Sequence, residues 1–335
     1  MRRRLLPVLF CFLAGRHLAA IPEKDYAQIY ASKVNPFLTS GERFSFLSAD
    51  GATRLQAIRF LHPDAKGTIV VVNGSTESCL KYGELFYDLY LQGYNITSYD
   101  HRGQGLSPHF VLSNSQIDQI DDFNLYAADL NKFVRNEMPR GGSQNLYLLA
   151  HSMGGAVAID YLQRYPSPFR AVVLSAPMIR INTAPYPEWL ARLVMQFLHV
   201  AGQGNNYAPG KHDRDPNEAF EANKITSSKA RWQEINCIWN AHPEAVLGGP
   251  SNEWVRQALE QTCKIRKQAT AVGTPTLILQ AGDDEFVINP SSAELQRMFS
   301  SPKRLFFEDS KHEILMEKDM IRDAAMKATL EFFGN

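Results

Sequence analysis

The segment Ala150-His-Ser-Met-Gly-Gly155 carries the most pointed chemistry in the chain, because its serine stands between the apolar run 145–149 and the helix-forming stretch 156–162. A serine on such a strand-to-helix turn is lifted above the end of a parallel sheet, where its hydroxyl can reach a carbonyl carbon. Small residues two before and two after it, here Ala150 and Gly154, let the backbone make the tight turn. The hydroxyl is a weak nucleophile until an imidazole takes its proton, and the imidazole needs a carboxylate to fix its tautomer and stabilise its charged form. Ser152 therefore calls for an acid and then a histidine downstream, each in a loop after a strand.

Both follow in that order. Strand-like residues 276–280 lead into Ala281-Gly-Asp-Asp-Glu-Phe-Val287, and residues 304–308 lead into Asp309-Ser-Lys-His-Glu313. Of the nine histidines, His312 alone lies beyond the acid loop, which makes it the expected base. Asp284 is the first choice of acid, since a position three before Val287 suits an inward carboxylate; Asp283 is the alternative. Asp283 and Glu285 are then expected to be solvated or to cap a helix starting near Pro290. His151 is read as packing or orienting the turn, and His101 in Asp100-His-Arg-Gly-Gln-Gly105 as part of a structural turn. The oxyanion that forms on the attacked carbonyl needs donors, and the backbone N–H groups of Met153 and of Ser75, in Asn73-Gly-Ser-Thr-Glu-Ser78, are expected to supply them.

The elements that must position these residues alternate. Strand patterns at 44–49, 55–61, 68–73, 95–100, 145–149, 171–176, 276–280 and 304–308 are interleaved with helical ones at 81–92, 123–138 and 156–162. The run Thr68-Ile-Val-Val-Val-Asn73 reads as a central strand covered on both faces. The pattern predicts an α/β fold, a mostly parallel central sheet with helices on both faces. Between about residues 182 and 268 no strand run is found, and the region is expected to be a helical cap over the carboxyl ends of the strands. Within it, 188–200 places Trp189, Leu193, Val194 and Phe197 on one face, the expected trough for an apolar substrate chain.

Composition narrows the class. With 335 residues, 44% of them hydrophobic, the chain can bury a large core, and equal counts of 35 acidic and 35 basic residues give no field that would select nucleic acid. Residues 1–20 have a basic start, a short apolar run and a small-residue end, the layout of an export signal or an amino-terminal anchor, with the hydrolytic domain following at 25–335. Export to a periplasmic, secreted or membrane-associated site is the expectation if that signal operates, and a cytoplasmic or membrane-peripheral site if it does not. Cys79, Cys237 and Cys263 lack zinc-site spacing, and no metal or cofactor is called for; Cys237 and Cys263 either pair or stay as buried thiols.

Together, Asn73-Gly-Ser-Thr-Glu-Ser-Cys-Leu-Lys-Tyr-Gly-Glu-Leu85, Asp100-His-Arg-Gly-Gln-Gly-Leu-Ser107, Ala150-His-Ser-Met-Gly-Gly155 and Lys311-His-Glu-Ile-Leu-Met-Glu-Lys318 resemble the lysophospholipase L2 branch of the α/β-hydrolases. That branch is close to the monoacylglycerol lipases, among the serine aminopeptidase S33-type hydrolases. Leu247-Gly-Gly-Pro-Ser-Asn-Glu-Trp254 looks like it too, so the likeness runs from about residue 25 to the end. The resemblance implies an α/β-hydrolase fold, Ser152 as nucleophile, Asp284 as acid, His312 as base, and donors at Ser75 and Met153. Asn73 stands where relatives often have histidine or proline.

The leading expectation is a metal-independent serine esterase acting on a small lipid ester, a lysophospholipid or a monoacylglycerol, with peripheral contact to a membrane. An aminopeptidase of the same fold is the first rival and would need an acidic cluster for a free amine, for which Glu218, Glu221 and Glu234 are available. A non-catalytic ligand-binding protein on the same scaffold is the second. Lys211, His212 and Arg214 are candidates to meet a phosphate, against the plainer reading of a solvated loop.

Overall fold

The protein is described by a computed structural model over residues 20–111, 113–138, 145–268 and 271–334. The expected export segment, all but Ala20, lies outside the described residues. Chain order runs α1 (Tyr26–Ile29), a π-helical turn, α2 (Asn35–Ser40), β1 (Glu42–Leu47), β2 (Arg54–Phe60), β3 (Thr68–Val72), α3 (Gly83–Leu91), β4 (Asn95–Tyr99), β5 (Ile117–Asp118) and α4 (Asn124–Asn136). It continues with β6 (Leu146–His151), α5 (Met153–Arg164), β7 (Phe169–Ser175), α6 (Glu188–Val200), α7 (Lys229–Ala241), β8 (Gly249–Pro250) and α8 (Asn252–Lys267). Last come β9 (Thr276–Ala281), α9 (Ser292–Met298), β10 (Pro302–Phe307) and α10 (Asp319–Gly334).

Eight strands form one sheet in the order β1-β2-β4-β3-β6-β7-β9-β10. Only β2 runs against its neighbours; the six strands from β4 to β10 pair in parallel. The α/β class and the sheet expected from the sequence are what the chain adopts. Alternation within each central strand divides the core in two. Val70 and Val72 of β3, Leu148 and Ala150 of β6, and Val172 and Leu174 of β7 pack with Phe133, Ile159 and their neighbours on α4 and α5. Ile69, Val71, Tyr147, Leu149, Ala171 and Val173 face the opposite layer, with Phe86 on α3 and Met326 on α10. Burial on both faces is why these strands read as continuous apolar runs rather than as alternating ones.

The insertion between β7 and β9 departs from a strand-free cap in one detail: Gly249 and Pro250 form a two-residue parallel ladder with Ile117 and Asp118. The ladder is too short to leave a periodic signal in the sequence. The insertion is also rooted in both layers. Trp254, Ala258 and Ile265 of α8 belong to the α5 side, whereas Ile235 and Trp239 of α7 belong to the α3 side. Ser228 and Ser251 cap α7 and α8 by accepting the N–H groups of Arg231 and Trp254.

One smaller expectation is corrected, and another is resolved in favour of its solvated alternative. Cys237 is exposed on α7 and Cys263 is half-buried on α8; both are free, so they are neither bridged nor buried thiols. The helix after Pro290 is capped not by Asp283 or Glu285, which are exposed, but by a reciprocal Ser291–Glu294 box.

Candidate active site

The expected turn is present at the end of β6. Ser152 has φ 50° and ψ −118°, outside the ordinary regions for a side-chain-bearing residue, and its N–H donates to the Ser175 carbonyl on β7 at 3.0 Å. Close approach explains the small residues around it. A Cβ on Gly154 would stand 2.5 Å from the carbonyl oxygens of both Val72 and Asn73, and one on Gly155 would stand 2.6 Å from the Pro177 side chain. Ala150 is itself fully buried, so its methyl group fits where the usual form of the turn has glycine.

His312 and Asp284 reach this serine from the loops after β10 and β9. His312 Nε2 lies 2.8 Å from Ser152 Oγ, and Nδ1 lies 2.7 Å from Asp284 Oδ2. The other carboxylate oxygen of Asp284 accepts the N–H groups of Phe286 and Val287 at 2.8 and 3.0 Å. Burial raises the Asp284 carboxyl, but the His312 hydrogen bond and charge, with those N–H donors, outweigh it and hold the pKa below the usual aspartate value. Asp284 is thus an anion fixed from both ends. The Phe286 ring lies 5.1 Å from the His312 ring, closing one side of the imidazole.

The loop expected to supply an oxyanion donor follows β3. Neither the Ser75 N–H nor the Met153 N–H donates to an acceptor among the described residues, although Met153 opens α5. The Ser75 hydroxyl donates to Asp118 Oδ2 at 2.6 Å, and Gln104 Nε2 donates to the same carboxylate at 3.1 Å. Complete burial pushes the Asp118 carboxyl up to about 7 despite these two donors. Asn73 is fully buried, and its carbonyl pairs with His101 Nε2 at 3.1 Å. Burial lowers His101 to about 4, so it is a neutral, structural residue as its turn suggested. His151 is likewise held neutral, at about 3, mainly by burial, and its ring centre is 4.9 Å from that of His312.

Beneath these loops lies a group that the motifs quoted above contain but did not single out. Lys81 is buried and donates to both Glu77 and Glu313, while Glu77 Oε2 accepts the Gly74 N–H and the Tyr82 hydroxyl, each at 2.5 Å. Burial pushes the Glu77 carboxyl up, but the Lys81 charge, with the hydrogen bonds from Lys81 and Tyr82, overcomes it and holds the pKa at about 2. Glu77, His151 and Glu313 bring metal-ligating atom types within 4.8 Å of one another, yet the Lys81 ammonium already bonds both carboxylates. The local signal was the four-residue spacing of Glu77 and Lys81, which reads as an ordinary helical pair.

The remaining candidates make no hydrogen bond to Ser152 among the described residues. Trp189, Leu193, Val194 and Phe197 are on α6 and are 66, 60, 41 and 70% exposed. Glu218 and Glu221 are exposed and Glu234 is half-buried; none has a hydrogen bond to Ser152, Asp284 or His312. Lys211, His212 and Arg214 lie in the loop joining α6 to α7, the first two exposed.

With this geometry in place, comparison with known proteins is direct. The family described as serine aminopeptidase, S33, matches residues 63–319. The chain belongs to this family. It is 31% identical to the probable lysophospholipase L2 of Haemophilus influenzae over 319 residues, covering 94% of this chain and 99% of that protein. It is equally identical to the lysophospholipase L2 of Escherichia coli over 320 residues, covering 93% of both. Among solved structures it is similar to a soluble variant of monoglyceride lipase from Saccharomyces cerevisiae, with TM-score 0.68, 18% identity, and coverage of 91% of this chain and 99% of that one. The fold is therefore that of the α/β-hydrolases, as the four motifs implied.

Proposed function

We propose that the chain is a carboxylic ester hydrolase acting on lipids, a lysophospholipase or monoacylglycerol lipase, and that it works through a Ser152–His312–Asp284 triad and an acyl-enzyme. The observation that carries this reading is the unbroken line from Ser152 Oγ to His312 Nε2 at 2.8 Å and from Nδ1 to Asp284 at 2.7 Å. Ser152 Oγ adds to the ester carbonyl carbon while His312 takes its proton. The tetrahedral oxyanion is met by the free N–H groups of Ser75 and Met153. Collapse breaks the ester C–O bond, and His312 returns the proton to the departing alkoxide, releasing the alcohol. Water then repeats the two steps in the same site, giving the free acid and restoring Ser152. Throughout, Asp284 holds the imidazole tautomer and offsets its transient charge.

The substrate class is supported by the relatives' names and by the cap. Trp189, Leu193 and Phe197 recur every four residues on α6 and leave an apolar stripe exposed, suited to an acyl chain at a lipid surface. Arg192 and Lys267 of the cap and Arg297 of α9 line an open cleft of about 770 Å³ beside Trp189, where Glu188 and Glu294 are already paired with Arg180 and Arg266, so these three further cations can complement anionic head groups. Among the described residues no helix is long and apolar enough to cross a membrane, and the contact proposed is peripheral. The peptidase alternative is supported by the family description, but among the described residues Glu218, Glu221 and Glu234 make no hydrogen bond to Ser152 and so form no bonded acidic cluster there to receive an amine. Turnover of lysophosphatidylcholine, a monoacylglycerol and alanyl naphthylamide by the same preparation tests the reading. Ester cleavage that disappears in Ser152→Ala is expected, and amide cleavage exceeding ester cleavage would overturn it.

A further inference from the structure

Two loops of the proposed site come from well-separated strands. The oxyanion loop follows β3 and the histidine loop follows β10, four positions apart in the sheet order, or roughly 19 Å at ordinary strand spacing. The histidine loop must therefore fold back over the ends of β9 and β7 to bring His312 to Ser152. Something has to fix how far it reaches, because acyl transfer tolerates little error between base, nucleophile and oxyanion donors.

We infer that Lys81 is a positioning residue for this reaction, its buried ammonium tying the oxyanion loop, through Glu77, to the histidine loop, through Glu313. Each end of the tie is one step from a reacting group. Glu77 holds the N–H of Gly74, the residue before Ser75, and Glu313 is the residue after His312. The Lys81 and Glu313 side chains are 3 and 6% exposed and lie 232 residues apart in the chain. His151 packs against both loops: a Cβ on Gly74 would meet its ring at 3.2 Å, the His312 ring centre is 4.9 Å away, and its Nδ1 pairs with the Ser175 carbonyl on β7 at 3.2 Å. The far side of the histidine loop is held by the cap, since the Glu313 N–H donates to Ile225 at 2.8 Å and Lys311 Nζ to Asn223 at 2.7 Å. Stability does not explain the tie. Buried charge clusters of this kind can often be replaced by apolar groups at no loss, and Glu313 Oε2 is left without a hydrogen-bond partner. A geometric duty does explain it, because an ammonium bonded to a carboxylate on each side fixes distance and direction where apolar packing would allow slippage.

The inference rests on the proposed ester hydrolysis, and a single experiment separates the two. Wild type, Lys81→Met, Glu313→Gln and the double variant are compared on a short p-nitrophenyl ester, with active sites counted by a fluorophosphonate that labels Ser152 and folding followed by circular dichroism. Lys81→Met is expected to lower kcat per titrated site by about 100-fold with KM within about threefold, as loss of positioning predicts. Because that variant leaves two buried carboxylates facing each other, the double variant, which relieves the repulsion, is the safer fold and is expected to remain at least about tenfold slow. Glu313→Gln keeps the shape and one acceptor for Lys81 and is expected to fall by about fivefold to tenfold. A merely structural tie would lower the melting temperature while leaving kcat per titrated site within twofold of wild type, and that result in any folded variant of Lys81 overturns the inference. Wild type that neither turns over the ester nor takes the label would instead overturn the proposed function.

Discussion

At the carboxyl ends of the strands, Ser152, Asp284 and His312 sit in loops whose polar groups are bonded in chains, and the His312 and Asp284 side chains are only 7 and 2% exposed. On α6, by contrast, the large hydrophobic side chains Trp189, Leu193, Phe197 and Val200 leave 60–76% of their surfaces uncovered. The two regions serve different physics. Proton transfer and oxyanion stabilisation depend on direction and fail with small displacements, so the floor of the site is built from hydrogen bonds. Holding an acyl chain, the role proposed for α6, depends on area and not on direction, so a loose apolar surface would suffice there. Floor variants should therefore change kcat for every ester, and cap variants should change only how well long chains are held.

The largest effect expected is that of Ser152→Ala, which should lower ester turnover by at least about 10⁴-fold while leaving the fold intact, as hydrolysis assays beside circular dichroism would show. Retained turnover would remove the floor from the comparison altogether. Asp284→Asn comes next. The amide oxygen can still accept the N–H groups of Phe286 and Val287, but it cannot offset an imidazolium, and kcat should fall by about 10³ to 10⁴-fold for short and long esters alike.

Asp118 sharpens the contrast through stability. The folded protein keeps a proton on this carboxyl up to about pH 7, whereas an unfolded chain releases it near the ordinary aspartate value. Folding stability therefore falls as pH rises through that interval and levels off above it. Asp118→Asn lacks this loss, so urea unfolding should show the variant gaining about 2 to 3 kcal/mol on the parent between pH 5 and pH 8. Parallel stability curves would mean that the carboxylate under Ser75 is already ionised and balanced.

The smallest effect belongs to the cap. Replacing Trp189 and Phe197 together by serine should raise KM for a long-chain lysophospholipid by about tenfold and leave the kcat/KM of a two-carbon p-nitrophenyl ester within about twofold. Equal losses on both substrates would show that α6 and the floor are not separable.

How much of this was legible varies with the distance over which a residue finds its partners. Ser152 was readable because its requirements are local: a strand before it, a helix after it and small neighbours at Ala150 and Gly154. His312 and Asp284 were readable by order, since acid and base loops follow strands in a fixed sequence, and Asp284 is indeed the carboxylate that meets the imidazole, with Asp283 left exposed. Nothing local marks Asp118 as the acceptor of the Ser75 hydroxyl 43 residues away, and nothing marks Lys81 as the partner of Glu313. Charged residues at helical spacing look the same whether they are solvated or buried. The cap was legible as an interruption of the strand rhythm, yet its division between two core layers was not, because an apolar stripe does not say which surface it will meet.

The sequence by itself determined the succession of strands in the large sheet, the helices between its central strands, the strained turn at Ser152 and the order of serine, aspartate and histidine loops, because periodicity, small residues and loop position are properties of short segments. Only the tertiary structure decided that Lys81 would join the oxyanion loop to the histidine loop, that Asp118 would sit under Ser75, and that α6 would leave its apolar face uncovered. Those outcomes turn on which surfaces the folded chain removes from water, and burial is what turns an ordinary lysine or aspartate into one that holds a site in place.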